Sequence, residues 1–218
     1  MEDDPHRQIV IRTGDIRHVT NIDVVVISEN TDMQLARYYD PSISGTLRYL
    51  DAERGMDGWV VRDALDERLK MLIKQDKIRL PVMPGTVLAM PTTRLADQGI
   101  KYVFLAATVR GDGVGSGYSA LAPGVIQNCV RECFQRFDEL AQTDRLESIL
   151  FPVFGAGTAK QDPEQAVDCL LPVIVESMRR TPSCRQTYVL AWVESHRAAL
   201  RTVALRLGLK RDGESAIS

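Results

Sequence analysis

Short runs of apolar, β-rich residues recur along the chain, separated by stretches in which apolar positions step at three and four. The runs at 8–12, 23–27, 86–90, 102–108, 148–153 and 187–193 predict strands. Their continuous apolar character is that of strands covered on both faces. Between them, Ile126, Cys129, Cys133, Phe137 and Leu140 mark the buried stripe of a helix. Asp162 followed by Gln165, with Pro163 at the first helical position, predicts a capped helix start. Pro172 falls inside that helix and predicts a kink or break within 166–175. Further helices are expected over 47–54 and 195–207. These elements sum to an α/β fold of three layers, α/β/α, with a mixed, mostly parallel central sheet. The chain reads as a single domain spanning 1–218, with a core over about 8–207. An insertion is expected at about 55–84, where Trp59, Val61, Leu65, Leu69 and Leu72 trace a helix, and a loose polar tail at 210–218. The abrupt ends suit a domain cut from a longer protein.

Composition narrows the class. Of 218 residues, 44% are hydrophobic and 26% charged, enough to bury a sizeable core. The net charge is -2 with the signs interspersed, so no basic face offers itself to a nucleic-acid backbone. Cys129, Cys133, Cys169 and Cys184 read as reduced thiols, the first two sharing a helical face rather than forming a metal knuckle. His6, His18 and His196 have no zinc-ligand spacing, and neither a metal nor a cofactor is expected. No apolar run approaches the length of a membrane span, and the acidic start is unlike a signal peptide, so the expected address is cytoplasmic.

The candidate chemistry lies at predicted strand ends. The run Phe151-Pro152-Val153-Phe154-Gly155-Ala156-Gly157-Thr158 takes an apolar strand into a glycine turn just before a capped helix. Bare backbone N–H groups there can hold a diphosphate without Lys or Arg; a tight turn with no ligand is the plainer alternative. The cluster 111–117 also follows a strand, but its spacing fits neither a dinucleotide nor a P-loop signature and reads as a mobile loop. Asp15, in Gly14-Asp15-Ile16, can accept from an exocyclic amine such as adenine N6. Asn30, after the second strand, can both donate to and accept from ribose hydroxyls. Taken alone, Asp15 reads more readily as a turn aspartate, and Asn30 has the same plain alternative in an Asx-turn.

Together these features resemble the macro domain family, over about 9–207. Gly14-Asp15-Ile16 looks like that family's Gly-Asp-Ile motif, and Asp23 to Asn30 like its Asp-x-Ile-Val-Asn-Ala-Ala-Asn strand. The 151–158 run is similar to its second phosphate loop. The resemblance implies that Asp15 and Ile16 contact adenine, that Asn30 contacts the distal ribose with Phe154 nearby, and that Gly155, Ala156, Gly157 and Thr158 face the diphosphate. The departures are specific. Ile27 replaces the family's first Asn, Ser28-Glu29 replaces its Ala-Ala, and the glycine run of its first phosphate loop is absent. Ser42, Ser44 and Gly45 are the candidates to replace those donors. The variant strand exit resembles macro domains of multidomain bacterial signalling and defence proteins.

The function expected is binding of ADP-ribose or a related NAD-derived adenine nucleotide by a sensor or reader with fused or associated effector domains. A hydrolase of ADP-ribosyl or O-acetyl-ADP-ribose bonds is the alternative, with Asn30, Glu29 or Asp40 as its nearby polar groups. In that case Glu29 is the base, whereas its place at a strand end reads as plain surface. The third alternative is a ligand-free protein-interaction module.

Overall fold

The computed structural model describes residues 7–111, 119–156 and 161–209. Among these described residues, nine strands and five helices follow one another as β1 (Gln8–Thr13), β2 (Val24–Asn30), α1 (Ile43–Asp51), β3 (Glu53–Arg54), β4 (Val60–Arg62), α2 (Ala64–Gln75), β5 (Val87–Pro91), β6 (Tyr102–Arg110), β7 (Ser119–Ala120), α3 (Pro123–Asp144), β8 (Ser148–Pro152), α4 (Pro163–Arg180), β9 (Gln186–Ala191) and α5 (Glu194–Arg206). Seven strands form one sheet in the order β1-β9-β8-β2-β6-β5, with β7 also paired to β6. The neighbours from β1 to β6 are parallel, and β5 and β7 run antiparallel to β6.

Side-chain alternation along the sheet sorts the core into two layers. Val24, Val26, Phe104 and Phe151 face one way and pack on α3, α4 and α5; Phe134 stacks on Phe151 at 5.5 Å between ring centroids. Val25, Ile27, Leu105 and Leu150 face the other way, onto Leu47 of α1 and Leu65 and Leu69 of α2. Strands buried on both faces read as unbroken apolar runs, which is why the sequence located the inner strands β2, β6, β8 and β9 to within a few residues; the edge strand β1 is only half-buried and is marked by its β-branched Ile9-Val10-Ile11.

Two expectations change. The helix bearing Pro172 is unbroken from Pro163 to Arg180. Pro172 lies on its exposed face, so the lost backbone bond falls where water can satisfy the freed carbonyl, while Leu170, Leu171, Val173 and Ile174 hold the buried face. In the expected insertion, Trp59 and Val61 do not join the helix. They lie exposed at a small antiparallel hairpin of β3 and β4, and the helix starts at Ala64, where the Asp63 side chain caps Asp66 N–H. The expected tail at 210–218 and the glycines at 113, 115 and 117 lie outside the described residues.

Candidate functional site

A cleft of about 340 Å³ opens at the C-terminal ends of β2, β8 and β9, between the start of α1 and the start of α5. In an open parallel sheet this is where ligands bind, because helices leave the strand ends uncovered and point their N-termini there.

On one side stands the rebuilt first loop. Asn30 is buried, and its amide is committed to the chain: Nδ2 donates to the Gln34 carbonyl at 3.2 Å and Oδ1 accepts the Gln34 N–H at 3.3 Å. This clamp closes a turn in which Met33 takes a positive φ of 52°. The strap then crosses over α1. Ser42 is the N-cap, its Oγ accepting the Gly45 N–H at 3.0 Å. The helix therefore begins at Ile43, four residues earlier than the apolar spacing indicated. Among the described residues, the backbone N–H groups of Ile43 and Ser44 have no acceptor, and both residues line the cleft.

Gly45 serves packing rather than ligand contact. A Cβ there would stand 2.4 Å from the Arg37 carbonyl oxygen and 2.8 Å from that of Asp40. Gly45→Ala is expected to push the strap off α1 and cost about 1–3 kcal/mol, measured as a lowered urea midpoint.

Arg48 ties the strap down from below. Its Nη1 donates to the carbonyls of Leu35 and Ala36 at 3.2 and 3.0 Å, and its Nε donates to Asp63 Oδ2 at 2.6 Å. Its other nitrogen lies 3.5 Å from Asp66.

The second side is the turn after β8. Gly155 takes a φ of 78°, open to glycine at little cost, and its N–H has no acceptor among the described residues. Gly155 and Ala156 line the cleft. Phe154 does not: it is 1% exposed and packs edge-on against Phe151 in the core. Gly157 and Thr158 lie outside the described residues.

Asp15 and Ile16 are not among the residues lining the cleft. Ile16 is fully buried beside α1. Asp15 caps a short 3-10 turn, its Oδ1 accepting the Arg17 N–H at 2.8 Å, and it pairs with the Arg17 guanidinium at 2.6 Å. Hydrogen bonds from that guanidinium, against some desolvation, hold the Asp15 carboxyl below its usual range. The turn is nonetheless next to the cleft, since Gly14 N–H bonds the Ala191 carbonyl and Trp192 follows immediately.

Four cleft residues carry chemistry that sequence reasoning missed or misplaced. Glu29 is buried, not surface: at 4% exposure it faces α1, and the Ser44 hydroxyl donates to its Oε1. Burial pushes its carboxyl up to about 8, against the pull of Ser44, Arg48 and the Asn30 backbone. His196, in the first turn of α5, is 9% exposed, and its Nδ1 has no partner among the described residues. Burial lowers its basicity, so the imidazole is neutral near pH 7. Trp192 lines the cleft half-buried, and Ser28 does so with its hydroxyl 2.5 Å from that of Thr108. The available signal for Trp192 and His196 was their place directly after the last strand of a parallel sheet.

Among the described residues no group of His, Cys, Asp and Glu is placed to hold a metal ion, and no helix is long and apolar enough to cross a membrane.

A mixed sheet between two helical layers, with this cleft at its strand ends, is the macrodomain fold. Among solved structures, the chain is similar to the Oceanobacillus iheyensis macrodomain with ADP, at 16% identity, TM-score 0.67 and 94% of each chain covered. It is also similar to the Trypanosoma brucei macrodomain in complex with ADP-ribose, at 16% identity and TM-score 0.53, over 91% of this chain and 69% of that one. A third likeness is to the macrodomain of Mycobacterium tuberculosis DarG, at 14% identity and TM-score 0.55, over 84% of this chain and 97% of that one. No protein-family model matches the sequence, and no curated protein matches it.

Proposed function

We propose that the cleft binds ADP-ribose or a related NAD-derived adenine nucleotide, and that the chain is a reader of that ligand rather than a hydrolase. One observation carries the reading. Among the described residues, the backbone N–H groups of Ile43 and Ser44 at the start of α1 and of Gly155 after β8 have no acceptor, and these residues line the cleft from two sides. Oriented N–H dipoles are suited to a diphosphate, and among the described residues no Lys or Arg lines the cleft. Similar folds recorded with ADP and with ADP-ribose support the same ligand class.

In this reading Trp192 is the base platform, with Asp15 in the neighbouring turn on the adenine side and the buried Ile16 supporting that turn, Asn30 shapes the ribose end, and Gly155 to Thr158 face the phosphates. Turnover needs a base, and Glu29 holds its proton up to about pH 8. That favours binding over hydrolysis near neutrality. Occupancy would then be passed to a fused or associated effector domain in the cytoplasm.

Trp192→Ala tests the orientation. Loss of a stacking face is expected to weaken ADP-ribose roughly tenfold, the low end of base–aromatic stacking. Inorganic pyrophosphate, which has no base, should bind the variant as it binds the parent. Calorimetry with both ligands separates the cases; equal loss for both would place the base elsewhere.

A further inference from the structure

Glu29 is an acid in surroundings unsuited to its charge. It ends β2 on the face turned toward α1, 4% exposed, and it lines the cleft. Among the described residues no basic nitrogen lies within ion-pair distance of its carboxyl. Arg48, the cation that acts on it, spends its guanidinium on Asp63, Asp66 and two strap carbonyls.

The hydrogen bonds around Glu29 also have a direction. The Ala36 N–H donates to Ser44 Oγ at 3.2 Å, and the Ser44 hydroxyl donates in turn to Glu29 Oε1. Oε1 is thus an acceptor, and a proton carried by the group belongs on Oε2.

The neighbouring groups suit an anion. The N–H groups of Ile43 and Ser44, without acceptors among the described residues, begin α1 beside this carboxyl, and both residues line the same cleft. A charged carboxylate there would repel a phosphate, whereas a neutral one adds a donor.

We propose that Glu29 is a ligand-binding residue acting as a neutral carboxylic acid, donating from Oε2 to a phosphate oxygen of the bound nucleotide. The proposal rests on the functional reading above. It gives the Ser28-Glu29 departure a purpose: the acid supplies a donor where the chain lacks the glycine run of the usual first phosphate loop. It also makes binding take up a proton once the free carboxyl has ionised. The groups facing Glu29 are Ser44 and Arg48 from α1, with Asp63 and Asp66 of α2 behind Arg48. Ala107 of β6 lies beside it in the sheet, the strap presents Gln34 and Ala36, and α5 presents a neutral His196. The Glu29 carboxyl, pushed up to about 8 by burial, ionises between pH 7 and 9.

The test is calorimetric titration with ADP-ribose at pH 7 and 9, using the whole chain, Glu29→Gln and Glu29→Met. Glutamine keeps an acceptor for Ser44 and a donor for the ligand; methionine keeps length and removes both. With ionisation near pH 8, wild-type affinity should fall about tenfold from pH 7 to 9. Glu29→Gln should match wild type at pH 7 and stay flat, and Glu29→Met should be weak at both. A wild-type affinity unchanged at pH 9, or Glu29→Gln as weak as Glu29→Met at pH 7, overturns the proposal while leaving the functional reading intact. No binding by any of the three at either pH overturns both.

A ligand-free readout runs beside it. The folded carboxyl titrates above its ordinary 4.5, so the folded state holds the extra proton between that value and about 8. Wild-type stability therefore falls with rising pH across that window, and its Tm should drop below that of Glu29→Gln by a margin that grows from pH 5 to 8 and then levels off. A constant margin also overturns the proposal.

Discussion

Ala156→Asp is expected to abolish measurable binding of ADP-ribose while leaving the fold intact. Ala156 is half-buried in the turn after β8, lines the cleft and follows Gly155, whose N–H has no acceptor among the described residues. Its φ is not among the positive ones, so an aspartate can be accommodated without backbone strain. The new carboxylate would stand where the diphosphate is proposed to lie. Like charges brought together at a desolvated contact cost several kcal/mol, and about 3 kcal/mol already corresponds to roughly a hundredfold in affinity. Ala156 packs on the edge of the core from a partly exposed turn, so stability should fall by about 1 kcal/mol, well short of unfolding the domain. Calorimetry and a thermal melt on the same protein separate the two effects. Unchanged affinity would mean that the phosphates do not pass this turn.

The second large effect is expected at Arg48. Arg48→Met keeps much of the stem's packing and removes the fork that joins the strap carbonyls of Leu35 and Ala36 to Asp63 and Asp66. The side chains involved are about one-fifth exposed, 17% for Arg48 and 20% for Asp63, so the loss belongs at the low end of that for a broken buried pair, about 3 kcal/mol. In a domain of this size that is a drop in Tm of roughly 6–12 °C. Asp63 keeps its cap on α2, which limits the damage to that helix. Because Gln34 and Ala36 line the cleft, ADP-ribose affinity should fall as well. Arg48→Lys should recover little of either, since an ammonium cannot reach two carbonyls and two carboxylates in one plane. Full recovery by lysine would show that charge alone, not the fork, holds the strap.

The layers of the fold were legible because strands buried on both faces leave an unbroken apolar signature, and because Asp162, Pro163 and Gln165 announce the start of α4 in local chemistry. The start of α1 was not, because its signal is the Ser42 cap and not an apolar repeat. Val61 stands four residues before Leu65, a helical spacing, by chance, and an exposed hairpin carries no periodic burial to correct it.

In the site, Asn30, Ser42, Ser44, Gly155 and Ala156 all line one cleft. Gly45 and Phe154 are near in sequence but are occupied in packing. Glu29 could not be placed from sequence. Whether a strand-end glutamate meets water depends on what covers it, and here the cover is a helix and a strap folded back from residues beyond Asn30. Trp192 and His196 come from the far end of the chain, joined to Gly14 only through the parallel pairing of β1 with β9.

The central claim is that the cleft is an adenine-diphosphate site, and calorimetric titration of the whole chain with ADP-ribose, beside NAD and AMP, tests it most directly. One site of micromolar affinity or tighter for ADP-ribose, absent in Ala156→Asp, is the expected result. No heat with any of these nucleotides up to millimolar concentration, from protein that melts cooperatively, would contradict it.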